Sequence, residues 1–103
     1  MTVAYNRDQR IANRIIDVLA QAEAGAAAAD VPQCGLSTDV VCELCAQGQS
    51  PYVLSDYVRP RIIDVMALLL NDHAIRREDD IDGARYFIGD LPRVLEVARG
   101  KVL

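Results

Sequence analysis

No run of apolar residues in this chain approaches the roughly 18 that a membrane-crossing helix needs, so no span is expected. The opening stretch MTVAYNRDQR has no apolar h-region, which argues against a secretory signal, and a cytoplasmic protein is expected. Histidine occurs once, as His73, and there is neither a glycine-rich phosphate loop nor a convincing nucleophile–base spacing. Catalysis and a bound cofactor are therefore not expected. The three cysteines, Cys34, Cys42 and Cys45, are an odd number, which argues against a disulfide framework in a short non-secreted chain. Basic residues are outnumbered, 11 to 15, for a net charge of −4. A free-standing non-specific nucleic-acid binder is usually basic, so this balance counts against DNA while leaving room for a local basic face.

What is present is enough apolar material for a core. At 103 residues and 51% hydrophobic, the chain is expected to form one domain over residues 1–103. Ile11, Ile15, Val18, Leu19 and Ala22 recur at helical spacing, predicting a helix from about Arg7 to Ala24 with Asn6 as its N-cap. Gly25 and the following AAAADVP weaken the helical signal, and Pro32 marks a loop. Ser37 is the expected N-cap of a second helix, STDVVCELCAQG, which exits at Gly48. After the connector QSPY, LSDYV reads as a short helix starting at Ser55.

Pro60 suits the first position of a stronger helix, PRIIDVMALLLNDH, since a missing N–H costs nothing there. Projection at 100° per residue puts Ile62, Ile63, Val65, Met66, Ala67, Leu69 and Leu70 on one apolar arc. Leu68 falls on the opposite, polar side. A hairpin follows, with strands near Ala74–Arg77 and Ala84–Ile88 and a tight turn at Asp82-Gly83. Asp90 is the expected cap of a last helix, LPRVLEVARG. The expected core is Ile11, Ile15, Leu19, Val41, Leu44, Ile62, Met66, Leu69, Leu70, Ile75, Phe87, Leu95 and Val97.

The order is helix, helix, short helix, helix, hairpin, helix: a mainly α chain with a two-stranded β-hairpin. From Ser37 to Gly89 it resembles a winged helix-turn-helix domain. LLLNDHAIRRE looks like a recognition helix turning into the wing, and DGARYFIG looks like the returning wing strand. With its extra N- and C-terminal helices, the chain further resembles the dimeric metal-sensing repressors of the ArsR type. That resemblance implies a DNA-binding transcriptional regulator, dimeric through the outer helices. Arg59 and Arg61 would face the major groove of double-stranded DNA, Tyr57 would touch a phosphate, and Arg76, Arg77 and Arg85 would contact backbone.

The hairpin's acidic run opposes this reading. Glu78, Asp79, Asp80 and Asp82 would be repelled by phosphates. The competing expectation is a protein-binding module of the same fold, of a kind a phage or mobile element would encode. It would dock its acidic hairpin, and an apolar patch of Leu68 beside Tyr57 and Leu54, on a basic host protein that handles nucleic acid. The Arg7, Arg10, Arg14 stripe reads three ways: as a solvated face, as a pairing surface for a second subunit, or as an extension of a DNA surface. Cys42 and Cys45 share a helix face, and Cys34 and His73 would have to join them to make a zinc site. Core packing is the favoured reading of these thiols, and no metal is expected. DDIDG lacks the spaced ligands of a calcium loop.

Overall fold

The computed structural model describes residues 7–50 and 56–100. Among them the elements run α1 (Arg7–Ala28), α2 (Thr38–Ala46), α3 (Arg59–Asn71), β1 (Ile75–Asp80), β2 (Gly83–Ile88) and α4 (Leu91–Ala98). Asn6, Leu54 and Ser55 lie outside the described residues. No helix among the described residues is long and apolar enough to cross a membrane.

The first helix is the spine. It buries Ile11, Ala12, Ile15, Val18 and Leu19 and packs against α2, α3, β2 and α4. It continues one turn past the expected end at Ala24. Alanine is the strongest helix former, and the run after Gly25 offsets the roughly 1 kcal/mol that a single glycine costs there. The exit is a left-handed Asp30 (φ 55°), with the Val31 N–H donating to Ala26 O at 3.0 Å.

Ser37 caps α2 as expected: its hydroxyl accepts the Val40 N–H at 3.3 Å. Val41, Cys42 and Cys45 are buried. Arg14 closes the other end of α2. Its guanidinium donates to Leu44 O at 2.9 Å, Gln47 O at 3.2 Å and Cys45 O at 3.4 Å, meeting carbonyls that the helix leaves unpaired.

α3 opens at Arg59, so Pro60 is its second residue rather than its first. Ile62, Val65, Met66 and Leu69 are buried, a stripe at three- and four-residue spacing. The expected apolar arc is too wide. Ile63 is 39% exposed and Ala67 is also exposed, because α1, α2 and β1 cover only one side of the helix. Leu44 and Leu70 are half-buried at the core margin. Leu95, expected in the core, is 56% exposed, since α4 turns Val97 and Val94 inward and leaves Leu91 and Leu95 outside.

The hairpin is longer than its sequence suggests. Register pairs Ile75 with Ile88, Arg76 with Phe87, Arg77 with Tyr86, Glu78 with Arg85, Asp79 with Ala84 and Asp80 with Gly83. The turn is therefore Ile81-Asp82, one residue earlier than expected. Gly83 supplies the positive φ (117°) that brings the chain into β2. Leu36 pairs antiparallel with Tyr86 through two backbone hydrogen bonds, 2.9 and 3.1 Å long, adding a third short segment beside β2. Gly35 makes this approach possible. Its φ is 70°, and a Cβ there would lie 2.7 Å from the Phe87 ring.

Asp90 takes the N-cap position of α4, but its carboxylate makes no cap hydrogen bond. Its main chain does the work instead: the N–H donates to His73 O and the carbonyl accepts the Val94 N–H. Arg93 pairs with Asp72, fastening α4 to the end of α3.

Candidate recognition surface

The start of α3 gathers charge from three parts of the chain. Arg59, 55% exposed by its side chain, donates to the Asp39 carboxylate in the first turn of α2. That hydrogen bond and the adjacent negative charge raise the Arg59 pKa further above its ordinary value. Arg61 lies 3.6 Å from one oxygen of Asp56, and Arg10 of α1 lies 3.2 Å from the other. Tyr57 differs from these arginines in exposure. Only 6% exposed, its ring belongs to the buried core. Burial raises the Tyr57 pKa, and the nearby Arg10 and Arg14 act in the opposite direction.

On the hairpin, alternation sorts the charges onto two faces. One face carries Arg76, Glu78, Asp80 and Arg85; the other carries Arg77 and Asp79. Arg76 pairs with Glu78 and also stacks over the Phe87 ring, 4.3 Å from its centroid. Arg77 donates to Asp79 at 2.9 Å, and Arg85 lies 4.0 Å from Asp80. Each hairpin arginine expected to meet DNA thus has a carboxylate beside it. The same pairs occupy three of the four carboxylates expected to meet a basic protein. Asp82 has no ion pair recorded among the described residues; its N–H donates to Asp80 Oδ1 at 2.9 Å. Between these acids, Ile81 is fully exposed at the tip.

These pairs are solvent-exposed, and exposed ion pairs contribute little to stability. An incoming anion or cation can exchange with them at small cost. The outward side of α3 beyond Arg59 is mixed: Ile63, Asp64, Ala67, Leu68 and Asn71 are all exposed, with Leu68 at 45%.

The thiols differ in exposure. Cys34 is exposed in the loop before α2, whereas Cys42 and Cys45 are buried. Burial raises both buried thiols, Cys45 to about 12. His73 is exposed at the C-terminal end of α3. Among the described residues, no group of three or more His, Cys, Asp or Glu could hold a metal ion. A cleft of about 90 Å³, lined in part by Leu19, Glu23, Cys34, Leu36 and Tyr86, lies between α1 and the α1–α2 loop. It is well below the few hundred Å³ typical of a small-molecule site.

The sequence raised Arg10 only as one of a stripe. No spacing signal could have tied it to Asp56, which is 46 residues away and becomes its partner through packing alone. No protein-family model, curated protein or solved structure matches the chain.

Proposed function

We propose that this chain is a winged helix-turn-helix domain that binds double-stranded DNA without catalysis, as a small transcriptional regulator. The observation that carries the reading is the presentation of α3. One side is sealed in the core by Ile62, Val65, Met66 and Leu69, while Arg59 and Arg61 stand half-exposed in its first turn. An antiparallel hairpin follows directly, bearing Arg76, Arg77 and Arg85, each at least 30% exposed. The short Leu36–Tyr86 pairing beside that hairpin is in keeping with the same layout. Arg59 and Arg61 would read the major groove, and the hairpin arginines would meet phosphates. Leu91 and Leu95, exposed one turn apart on α4, favour a homodimer joined through the outer helices.

A gel shift with genomic fragments over a salt series tests this. Arg59→Ala/Arg61→Ala should weaken binding and flatten its salt dependence. Equal affinity for wild type and the double variant would remove the DNA-reading role.

A second reading, a protein partner, is favoured by exposed apolar residues: Ile63, Ala67 and Leu68 on α3, and Ile81 at the hairpin tip. Glu78, Asp79, Asp80 and Asp82 would then steer a basic partner. Reversing Asp79, Asp80 and Asp82 to Lys should slow association with such a partner, mainly at low salt.

A further inference from the structure

β1 is an open edge. The sheet has the order β1–β2 and Leu36 lies on the far side of β2, so among the described residues no segment pairs with the other side of β1. Arg76, Arg77, Glu78, Asp79 and Asp80 are all exposed along it. The register with β2 is unbroken, and β1 has no proline, so a bulge and a proline are both missing as devices against edge pairing. Charge is the device that remains, and it is sorted by sign: Arg76 and Arg77 come first, then Glu78, Asp79 and Asp80.

The main-chain groups on this edge follow from the register. The Tyr86 N–H donates to Leu36 O, the Tyr86 carbonyl accepts the Leu36 N–H, and the Ile88 N–H donates to Glu23, so these groups of β2 point away from β1. Direction alternates along an antiparallel pair. Arg77, opposite Tyr86, and Asp79, opposite Ala84, therefore aim their N–H and carbonyl groups at the open edge. A second strand has to meet those groups. Two copies of β1 related by a two-fold axis through Glu78 do so: Arg77 exchanges both hydrogen bonds with the partner's Asp79, and Asp79 with the partner's Arg77. The same register sets Arg76 opposite the partner's Asp80. All of these are opposite-charge pairs, and the one like-charge contact is Glu78 against the partner's Glu78. An axis through Arg77 would keep only the Arg76–Glu78 pairs and face the two Arg77 side chains together. An axis through Asp79 would leave no opposite-charge pair between the strands.

We infer that β1 pairs with β1 of a second copy of this chain, antiparallel and centred on Glu78, to make one four-stranded sheet. The pairing consumes the strand edge and leaves the side chains on the faces of the sheet. It stands apart from the DNA reading and from a dimer through the outer helices.

The test is sedimentation velocity over a concentration series at low salt, in the wild type and in Leu91→Ser/Leu95→Ser, whose exposed leucines would carry a dimer through α4. Both should form a reversible dimer that salt weakens. The charge variants are made in the Leu91→Ser/Leu95→Ser chain. Arg77→Asp and Asp79→Arg each set like charges opposite one another twice, and each should weaken the dimer about 10- to 30-fold. The swap Arg77→Asp/Asp79→Arg should restore it. An equimolar mixture of the two single variants should associate although neither does so alone, which a role within one chain would not produce. Glu78→Gln removes the like-charge contact and should tighten the dimer about 2- to 5-fold.

Thermal unfolding of each variant shows whether it is folded at the assay temperature. Should a single reversal not be, the swap and Glu78→Gln decide the matter. A wild-type dimer that is lost in folded Leu91→Ser/Leu95→Ser, or a wild type that stays monomeric, overturns the edge pairing. Indifference of the dimer to both single reversals, or no association in the mixture of folded variants, overturns it as well. Weaker association in Glu78→Gln overturns the register centred on Glu78.

Discussion

The main-chain N–H of Ile88 donates to Glu23 Oε2 at 2.6 Å, joining residues 65 apart in sequence. This bond ties the last residue of β2 to the C-terminal half of α1. An N–H to carboxylate bond is charge-assisted, and its loss leaves a part-buried donor unpaired. Glu23→Ala should therefore destabilise the fold by about 1–3 kcal/mol in urea unfolding. Glu23→Gln, which keeps an acceptor oxygen, should cost less. Hydrogen exchange supplies the local check. The Ile88 amide should lose protection in Glu23→Ala before the α3 amides do, and equal protection in both proteins would show that the bond does not hold the strand.

Arg14 makes the corresponding latch between α1 and α2. Three carbonyls, those of Leu44, Cys45 and Gln47, converge on one planar guanidinium. A lysine ammonium is a point donor that cannot span this fork. Arg14→Ala is expected to cost about 1–3 kcal/mol, and Arg14→Lys should recover less than half of that loss. Full recovery by lysine would mean that charge at the helix end, rather than the fork, is what matters.

Local signals were the legible part of this protein. Ser37, the Ile62–Leu69 stripe and the hairpin each announce themselves within a few residues, because caps, helical spacing and turn residues act over that range. Contacts made by tertiary packing were not legible. Tyr57 looked like a surface phenol and is a core ring. Leu95 looked like a core residue and is exposed, because an apolar arc on a helix does not reveal how much of it the rest of the chain covers. Which acid each arginine meets was not legible either. Arg85 meets Asp80 only because the turn falls at Ile81-Asp82, and a turn one residue later would have changed every cross-strand neighbour.

His73 occupies a position that favours glycine. It follows α3 with φ 64°, and the bonds His73 N–H to Leu70 O and Ala74 N–H to Leu69 O complete a left-handed helix exit. A side chain in this region is disfavoured, although histidine tolerates it better than most residues. His73→Gly should stabilise the protein by about 0.5–1 kcal/mol, read as a higher urea midpoint with an unchanged slope. His73→Val, whose branched side chain fits the conformation worse, should move the midpoint the other way. A fall in stability for His73→Gly would show that the imidazole makes a compensating contact.

The cysteines give a prediction in reactivity and in pH. Cys34 is exposed, while Cys45 has no exposed surface and burial pushes its thiol up to about 12 from the usual 9.0. Since the thiolate is the reactive form, an alkylating reagent should modify Cys34 readily in the folded protein and reach Cys45 only on unfolding. The same shift sets a pH dependence. Below pH 9 the Cys45 thiol is protonated whether the chain is folded or not, so it adds no slope. Between pH 9 and about 12 the unfolded chain releases the proton while the fold retains it, and stability must fall as pH rises. Replacing the thiol by Cys45→Ala lowers stability overall by opening space in the core, but it should flatten the alkaline decline. Urea midpoints measured for both proteins on either side of pH 9 test this. Parallel declines in the two would show that Cys45 does not carry the alkaline sensitivity.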